Sequence, residues 1–199
     1  MRNGIPVTLE KAMEELRKYR RGLNVMSGGL TLSGGEPLMQ YRFAMRLLTA
    51  TKDAGIHTCL ETNGYFGDRL SDSDLEKIDL VMLGIKSWGA DRHRHLTGMD
   101  SEPTLTFARR LAQRKRPVWV RFVLVPGLTD DAQSIMQIAR FAGELGNVER
   151  VDVLPFHQMG RYKWMELGMD YKLHQTEPPA PEAVESACQQ FRAFGLKAY

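Results

Sequence analysis

VWVRFVLVPG, residues 118–127, is the strongest strand signal in the chain. Apolar side chains stand at almost every position, so a strand here has both faces buried, the habit of a parallel sheet. Parallel neighbours need a crossover, usually a helix, and helical patterns flank this run on both sides. TLTFARRLAQRK (104–115) places Leu105, Ala108, Leu111 and Ala112 on one side. TDDAQSIMQIARFAGELG (129–146) opens with Thr129 or an Asp to cap it and closes on Gly146.

The alternation extends in both directions. VTLEKAMEELRKYRR (7–21) reads as a helix capped by Thr8, with Leu9, Ala12, Met13 and Leu16 in one stripe. GLTLSGGE (29–36) reads as a strand. MQYRFAMRLLTATKDAG (39–55) reads as a helix with Phe43, Ala44, Leu47 and Leu48 inward and Gly55 past its end. IHTCLETNG (56–64) and DLVMLGIKS (79–87) are strands around the short helix SDSDLEKI (71–78). VERVDVLPFH (148–157) is a strand, PEAVESACQQFRAFG (181–195) a helix, and LKAY (196–199) a short last strand; the stretch between 157 and 181 reads as polar and irregular. Five strands alternating with helices define an α/β protein with parallel strands, either a doubly wound sheet or a whole or partial (β/α) barrel. No repeat, low-complexity tract or linker divides residues 1–199, so one domain is expected.

Composition narrows the class. The 199 residues are 43% apolar, enough for a sizeable core, and 27 basic against 24 acidic residues leave a net charge of only +3. The basic residues are scattered and do not interleave with aromatics, which argues against a nucleic-acid partner. Only Cys59 and Cys188 are present, far apart, so no disulfide framework is expected. MRNGIPVTLE lacks the regions of a signal peptide and no apolar run reaches membrane-spanning length. A soluble, cytoplasmic protein with no membrane partner is the expectation.

In both architectures ligands bind at the C-terminal ends of the strands. Those ends carry Gly34, Gly35 and Glu36; Glu61, Thr62 and Asn63; Lys86 and Ser87; Arg121; and His157. Period 2 puts Met82, Gly84 and Lys86 on one face, and Trp119, Arg121, Val123 and Val125 on one face. Arg121 inside an apolar run needs Glu36, Glu61, an anion or water as partner. Carboxylates mixed with Lys, Arg and His suit a small zwitterion, and Gly34-Gly35 lets main chain approach it closely. The stretch is neither a GxxxxGK[ST] loop nor a GxGxxG turn. Lys86 is alternatively a Schiff-base lysine of an aldolase-type barrel. HRH (93–95) reads as solvated histidines in a loop after a strand, with only a weak case for a metal.

GGLTLSGGEPLMQ, GIHTCLETNGY, DLVMLGIK, VWVRFVLVPGLTDD and VLPFHQMGRYKWMELGMDYKL together resemble the pyruvate formate-lyase activating enzymes, radical S-adenosylmethionine (SAM) proteins that activate glycyl radical enzymes. The resemblance runs in order over almost the whole chain. It implies a partial barrel of six βα units, SAM bound to a [4Fe–4S] cluster held by a CxxxCxxC loop, and a 5′-deoxyadenosyl radical that removes a hydrogen from a glycine of the partner enzyme. Residue by residue, Gly34, Gly35 and Glu36 match the element that binds the methionyl amino group. Glu61 and Thr62 match a segment where the family has Asp-Thr. Lys86, Arg121, Val123 and His157 match positions lining the SAM pocket, and Glu61, Thr62 and Met82 a monovalent cation site. The implied partners are a glycyl radical enzyme like pyruvate formate-lyase and a flavodoxin or ferredoxin reductant. Arg92, Arg94 and Lys163 are candidate docking residues.

The sequence also departs from the family. It has no CxxxCxxC, and two isolated thiols cannot hold such a cluster; no catalytic cluster ligand is expected in these residues. Glu61 replaces Asp, and Gly84 replaces a second Asp, which weakens the cation site. The expectation is a barrel whose first strand and cluster loop lie upstream of Met1, inactive by itself and prone to self-association through the exposed edge of GLTLSGGE. A cluster-free domain that docks a glycyl radical enzyme is the other reading.

Overall fold

The computed structural model describes residues 4–199. The signal-peptide reading rests in part on Met1–Asn3, which lie outside the described residues. In chain order the elements are α1 (Leu9–Val25), β1 (Gly29–Leu32), α2 (Tyr41–Asp53), β2 (His57–Thr62), α3 (Asp72–Leu75), β3 (Leu80–Gly84), α4 (Ala90–Thr97), α5 (Glu102–Gln113), β4 (Val118–Leu124), α6 (Ala132–Leu145), β5 (Val148–Pro155), α7 (Arg161–Glu166) and α8 (Pro181–Arg192). Packing divides them into two compact units. One runs to Leu83 and takes in Pro103–Val118; the other holds Gly84–Glu102 and Trp119–Tyr199.

In the first unit β1, β2 and β3 are parallel, with Gly29 beside His57, Leu32 beside Leu60, Cys59 beside Leu80 and Thr62 beside Leu83. Thr8 caps α1 by accepting from the Lys11 N–H at 3.2 Å, and α1 continues to Val25, past the Arg21 limit of the sequence reading. The buried stripe of α2 is Ala44, Met45, Leu47, Leu48 and Thr51. Ser71 and Asp74 form a capping box on α3. Burial alone would raise the Asp74 carboxyl, but bonds from the Ser71 hydroxyl, the Tyr41 hydroxyl and the Ser71 N–H hold it below its usual value. Just before β3, Asp79 is likewise lowered against its burial, by Lys52 and by the hydroxyl and N–H of Thr58 near the start of β2.

Both β3 and β4 pass through the two units. Val81 N–H donates to the Pro117 carbonyl at 3.0 Å in the first, and Ile85 N–H to the Arg121 carbonyl at 3.2 Å in the second. The sheet order is β1-β2-β3-β4-β5. Consecutive order without a reversal belongs to the (β/α) barrel class, because a doubly wound sheet turns back at a switch point. In the second unit the rings of Phe122 on β4 and Phe191 on α8 lie 5.8 Å apart, and Cys188 is buried beside them in sequence on α8. Asp131 caps α6 through the Ser134 N–H at 2.8 Å. Thr129, the other cap candidate, instead accepts from Val125 N–H and donates to the Val123 carbonyl.

Four readings change. β1 ends at Leu32, so Ser33–Glu36 is loop. LKAY makes an isolated bridge, Ala198 to Val151, in place of a strand. The polar stretch after β5 contains the short helix α7. Residues 90–97 are helix where a loop was expected: ADRHRHLT buries only His93, too little apolar periodicity to register, and a left-handed Gly98 closes it.

Candidate functional site

The first unit supplies the Gly-Gly-Glu loop. Gly34 and Gly35 have φ of 90° and 55°, a region that favours glycine, and a Cβ at Gly34 would meet nothing within 4 Å. Space therefore lies open beside the main chain where a ligand was expected. Glu36 turns inward. Its Oε1 accepts from Leu38 N–H at 3.0 Å and the Thr62 hydroxyl at 2.8 Å, and its Oε2 from Asn63 N–H at 2.8 Å. The carboxylate is a bracket that fastens the loop after β1 to the end of β2. Glu61 accepts from the Ser33 hydroxyl at 2.5 Å, a pairing not read from sequence, although a short hydroxyl side chain four residues after Gly29 on β1 faces that strand end by register. Thr62 Oγ1 also accepts from Gly64 N–H at 3.0 Å. Gly64 itself has φ of 75°, and a Cβ there would stand 2.8 Å from Leu83, which explains the Asn-Gly that ends this segment. Glu61 lies beside Met82 in the register of β2 and β3.

The second unit supplies the remaining strand ends. Lys86 is exposed just beyond β3, and Arg121 and Val123 share the half-buried face of β4 with Trp119, opposite buried Val120, Phe122 and Leu124. His157 is exposed two residues beyond the end of β5, past buried Phe156. The docking candidates are tied within this unit: Arg92 to Asp131 at 3.5 Å and Arg94 to Asp100; Lys163 is exposed on α7. Of the histidine pair, His95 is exposed, but His93 is only 6% exposed. Burial, and secondarily the charge of Lys86, hold its pKa below the usual value against a hydrogen bond to the Ser87 main chain.

The cysteines do not fit a cluster. Cys59 is buried within β2, beside Thr31 and Leu80, and Cys188 is buried on α8, where burial pushes its thiol up and disfavours the thiolate that iron requires. Among the described residues no three His, Cys, Asp or Glu come together as a metal site. No helix among them is long and apolar enough to cross a membrane.

Comparison with known proteins defines the class first: the model of the Radical SAM superfamily matches residues 1–142. The chain is 40% identical to the pyruvate formate-lyase 1-activating enzyme of Escherichia coli K12 over 196 residues, 98% of this chain and 80% of that protein. It is 41% identical to the pyruvate formate-lyase-activating enzyme of Staphylococcus epidermidis over 187 residues, 91% of this chain and 74% of that protein. The chain belongs to the radical SAM superfamily and, within it, to the family of pyruvate formate-lyase activating enzymes. Solved structures agree on the fold. A domain of pyruvate-formate lyase-activating enzyme from Bacteroides vulgatus superposes with a TM-score of 0.69 at 24% identity, covering 86% of this chain and 98% of that one. SuiB of Streptococcus suis bound to S-adenosylmethionine superposes with a TM-score of 0.71 at 15% identity, covering 99% and 44%. The fold is thus the α/β partial barrel of radical SAM enzymes.

Proposed function

We propose that this chain is the SAM-binding body of an activase that places a glycyl radical on pyruvate formate-lyase or a related glycyl radical enzyme, by way of a 5′-deoxyadenosyl radical. The observation that carries the SAM assignment is the Gly34–Glu36 loop: main chain in a glycine-only conformation, open space beside Gly34, and a carboxylate bracket holding it. Gly34 and Gly35 would meet the methionyl ammonium with main-chain carbonyls, and Glu36 keeps them aimed. Glu61, Thr62, Lys86, Arg121, Val123 and His157 are the other residues assigned to SAM binding on this reading. A monovalent cation would sit at Glu61, Thr62 and Met82, with one carboxylate fewer than the family pattern because position 84 is Gly. In this family a [4Fe–4S] cluster supplies the electron that cleaves SAM; the cysteines of these residues do not hold it. The partners on this reading are a glycyl radical enzyme and a flavodoxin or ferredoxin, in the cytoplasm, and β1 at the sheet edge is where two copies would pair.

Two measurements on the whole chain test this. Saturation-transfer NMR should show SAM contact that disappears in Gly34→Val, and analytical ultracentrifugation should show a complex with pyruvate formate-lyase. A complex without any SAM contact would leave only the docking-domain reading. SAM contact indifferent to Gly34→Val would remove the loop from the site.

A further inference from the structure

Beyond the C-terminal ends of β3 and β4, the loop after β3, the first turn of α4 and the start of α6 enclose a cleft of about 360 Å³. Its walls are Trp88, Arg92, Asp131, Gln133, Ser134 and Gln137, all residues of the second unit. The volume is at the low end for a small-molecule site, about 300–1,000 Å³, but such sites are mostly apolar and this one has a single apolar wall. That wall is held from behind. The Trp88 ring packs on Phe141 at 5.5 Å, and Trp88 N–H donates to Ser134 Oγ at 3.0 Å. The two charges already face each other: Arg92 reaches Asp131 at 3.5 Å, and Asp131 also caps α6 through the Ser134 N–H at 2.8 Å. The cleft is therefore neutral as a whole and does not select an ion. What it still offers is the carboxamides of Gln133 and Gln137, neither of them hydrogen-bonded among the described residues.

We infer that this cleft binds an extended peptide segment and that the segment belongs to the glycyl radical enzyme, the second step resting on the proposed function. Gln133 and Gln137 stand one turn apart on α6, with Cβ atoms about 5–6 Å from each other. An extended chain turns its N–H and C=O to the same side at every second residue, about 6.4–6.8 Å on. Each carboxamide carries both donors and an acceptor, as each residue's main chain does, so the pair can meet two successive like-facing residues. The Trp88 indole gives the segment a flat wall to lie on. The surroundings fit a protein as occupant. Past β5 the same unit leaves Met159, Met165, Leu167 and Met169 between 53% and 72% exposed, apolar surface that a small ligand does not need and a protein interface buries. On the proposed function the glycyl radical enzyme must bring its glycine to the C-terminal ends of the strands, which is where the cleft opens.

The test is sedimentation of the whole chain with pyruvate formate-lyase, wild type against the double variant Gln133→Leu, Gln137→Leu. Leucine is of similar size and cannot hydrogen-bond. Each net hydrogen bond lost should weaken the complex about five-fold, and the pair about 25-fold. Saturation-transfer contact with SAM should not move, and Gln189→Leu on α8, an exposed glutamine outside the cleft, should leave the complex as it was. Gln133→Leu alone, at an exposed position, carries the test if the pair does not fold. A complex as tight in the variants as in the wild type would overturn the inference while leaving the partner. No complex with the wild type would remove the partner and the inference together. A loss confined to self-association of the chain alone would make the occupant a second copy, and would equally overturn the inference.

Discussion

The loops after β1 and after β3 solve one problem in two ways. Each must hold a short piece of main chain still at the C-terminal end of a strand. After β1 a charged acceptor does it: Glu36 gathers two backbone N–H groups and one hydroxyl. After β3 a neutral side chain does it: Ser134 Oγ accepts from Trp88 N–H at 3.0 Å. The difference follows from what each loop offers a ligand. The first offers main-chain atoms, so a structural carboxylate beside them disturbs nothing it does not already bind. On the proposed function the second would offer Lys86, and a formal charge in its support would act on that ammonium.

Removing the charged bracket should be the costliest change. Glu36→Ala strands three donors at once, and hydrogen bonds to a charged acceptor are the strong kind, so about 3 kcal/mol should be lost. Thermal unfolding should shift down by about 6–12 °C for a chain of this size. Glu36→Gln keeps acceptor capacity on one atom only and should fall between. A shift no larger than that of an exposed surface change would mean the bracket is not what holds this loop. Ser134→Ala is the matching change at the second loop. It orphans one part-buried N–H, at about 1–2 kcal/mol, and should speed amide exchange at Trp88 ahead of its neighbours. If it costs as much as Glu36→Ala, the contrast between charged and neutral support fails.

The two loops were unequally legible in sequence, for a reason of distance. Glu36 reads from sequence as a ligand residue or a partner for Arg121, whereas the structure fastens it within its own turn and to the end of the next strand, where Asn63-Gly64 already signals a turn. The strand periodicity that placed Arg121 and Val123 on one face is local too, whereas β3 ends at Gly84, short of the Ser87 limit expected, and leaves Lys86 beyond it. His93 is the one buried residue of its helix, and Ser134 binds the Trp88 N–H from 46 residues away. No short-range pattern encodes that meeting. Polar HRH therefore reads as solvated in the sequence, and nothing there singles out Ser134. The sequence order of the strands could not choose between sheet classes either; the consecutive sheet order did.

Gly34→Ala probes the first loop more gently. Its Cβ would enter open space, so the cost is the backbone conformation alone, about 1 kcal/mol. SAM contact should weaken more than that loss of stability accounts for, because the methyl occupies the space assigned to ligand. Equal losses in stability and contact would place the ligand elsewhere.

The shallowest effect is one of pH, and it separates His93 from the carboxylates by window, the sign being the same. Asp74 and Asp79 are lowered from 3.8, so their contribution is complete above that value and is lost as pH falls through their folded values. The His93 imidazole is lowered from 6.5 by its burial, with Lys86 adding to it and Ser87 and Asp100 opposing. The unfolded chain then binds the proton first: stability is full above 6.5 and declines as pH drops through 6.5 toward the folded value. The decline is limited to the slope of a single proton and precedes any carboxylate effect. Denaturant unfolding of the wild type and His93→Gln from pH 7.5 down to about 5, where carboxylate losses begin, should show that decline in the wild type and its absence in the variant. Parallel curves would mean that the folded chain takes up the His93 proton as readily as the unfolded one, and that burial does not hold the imidazole down.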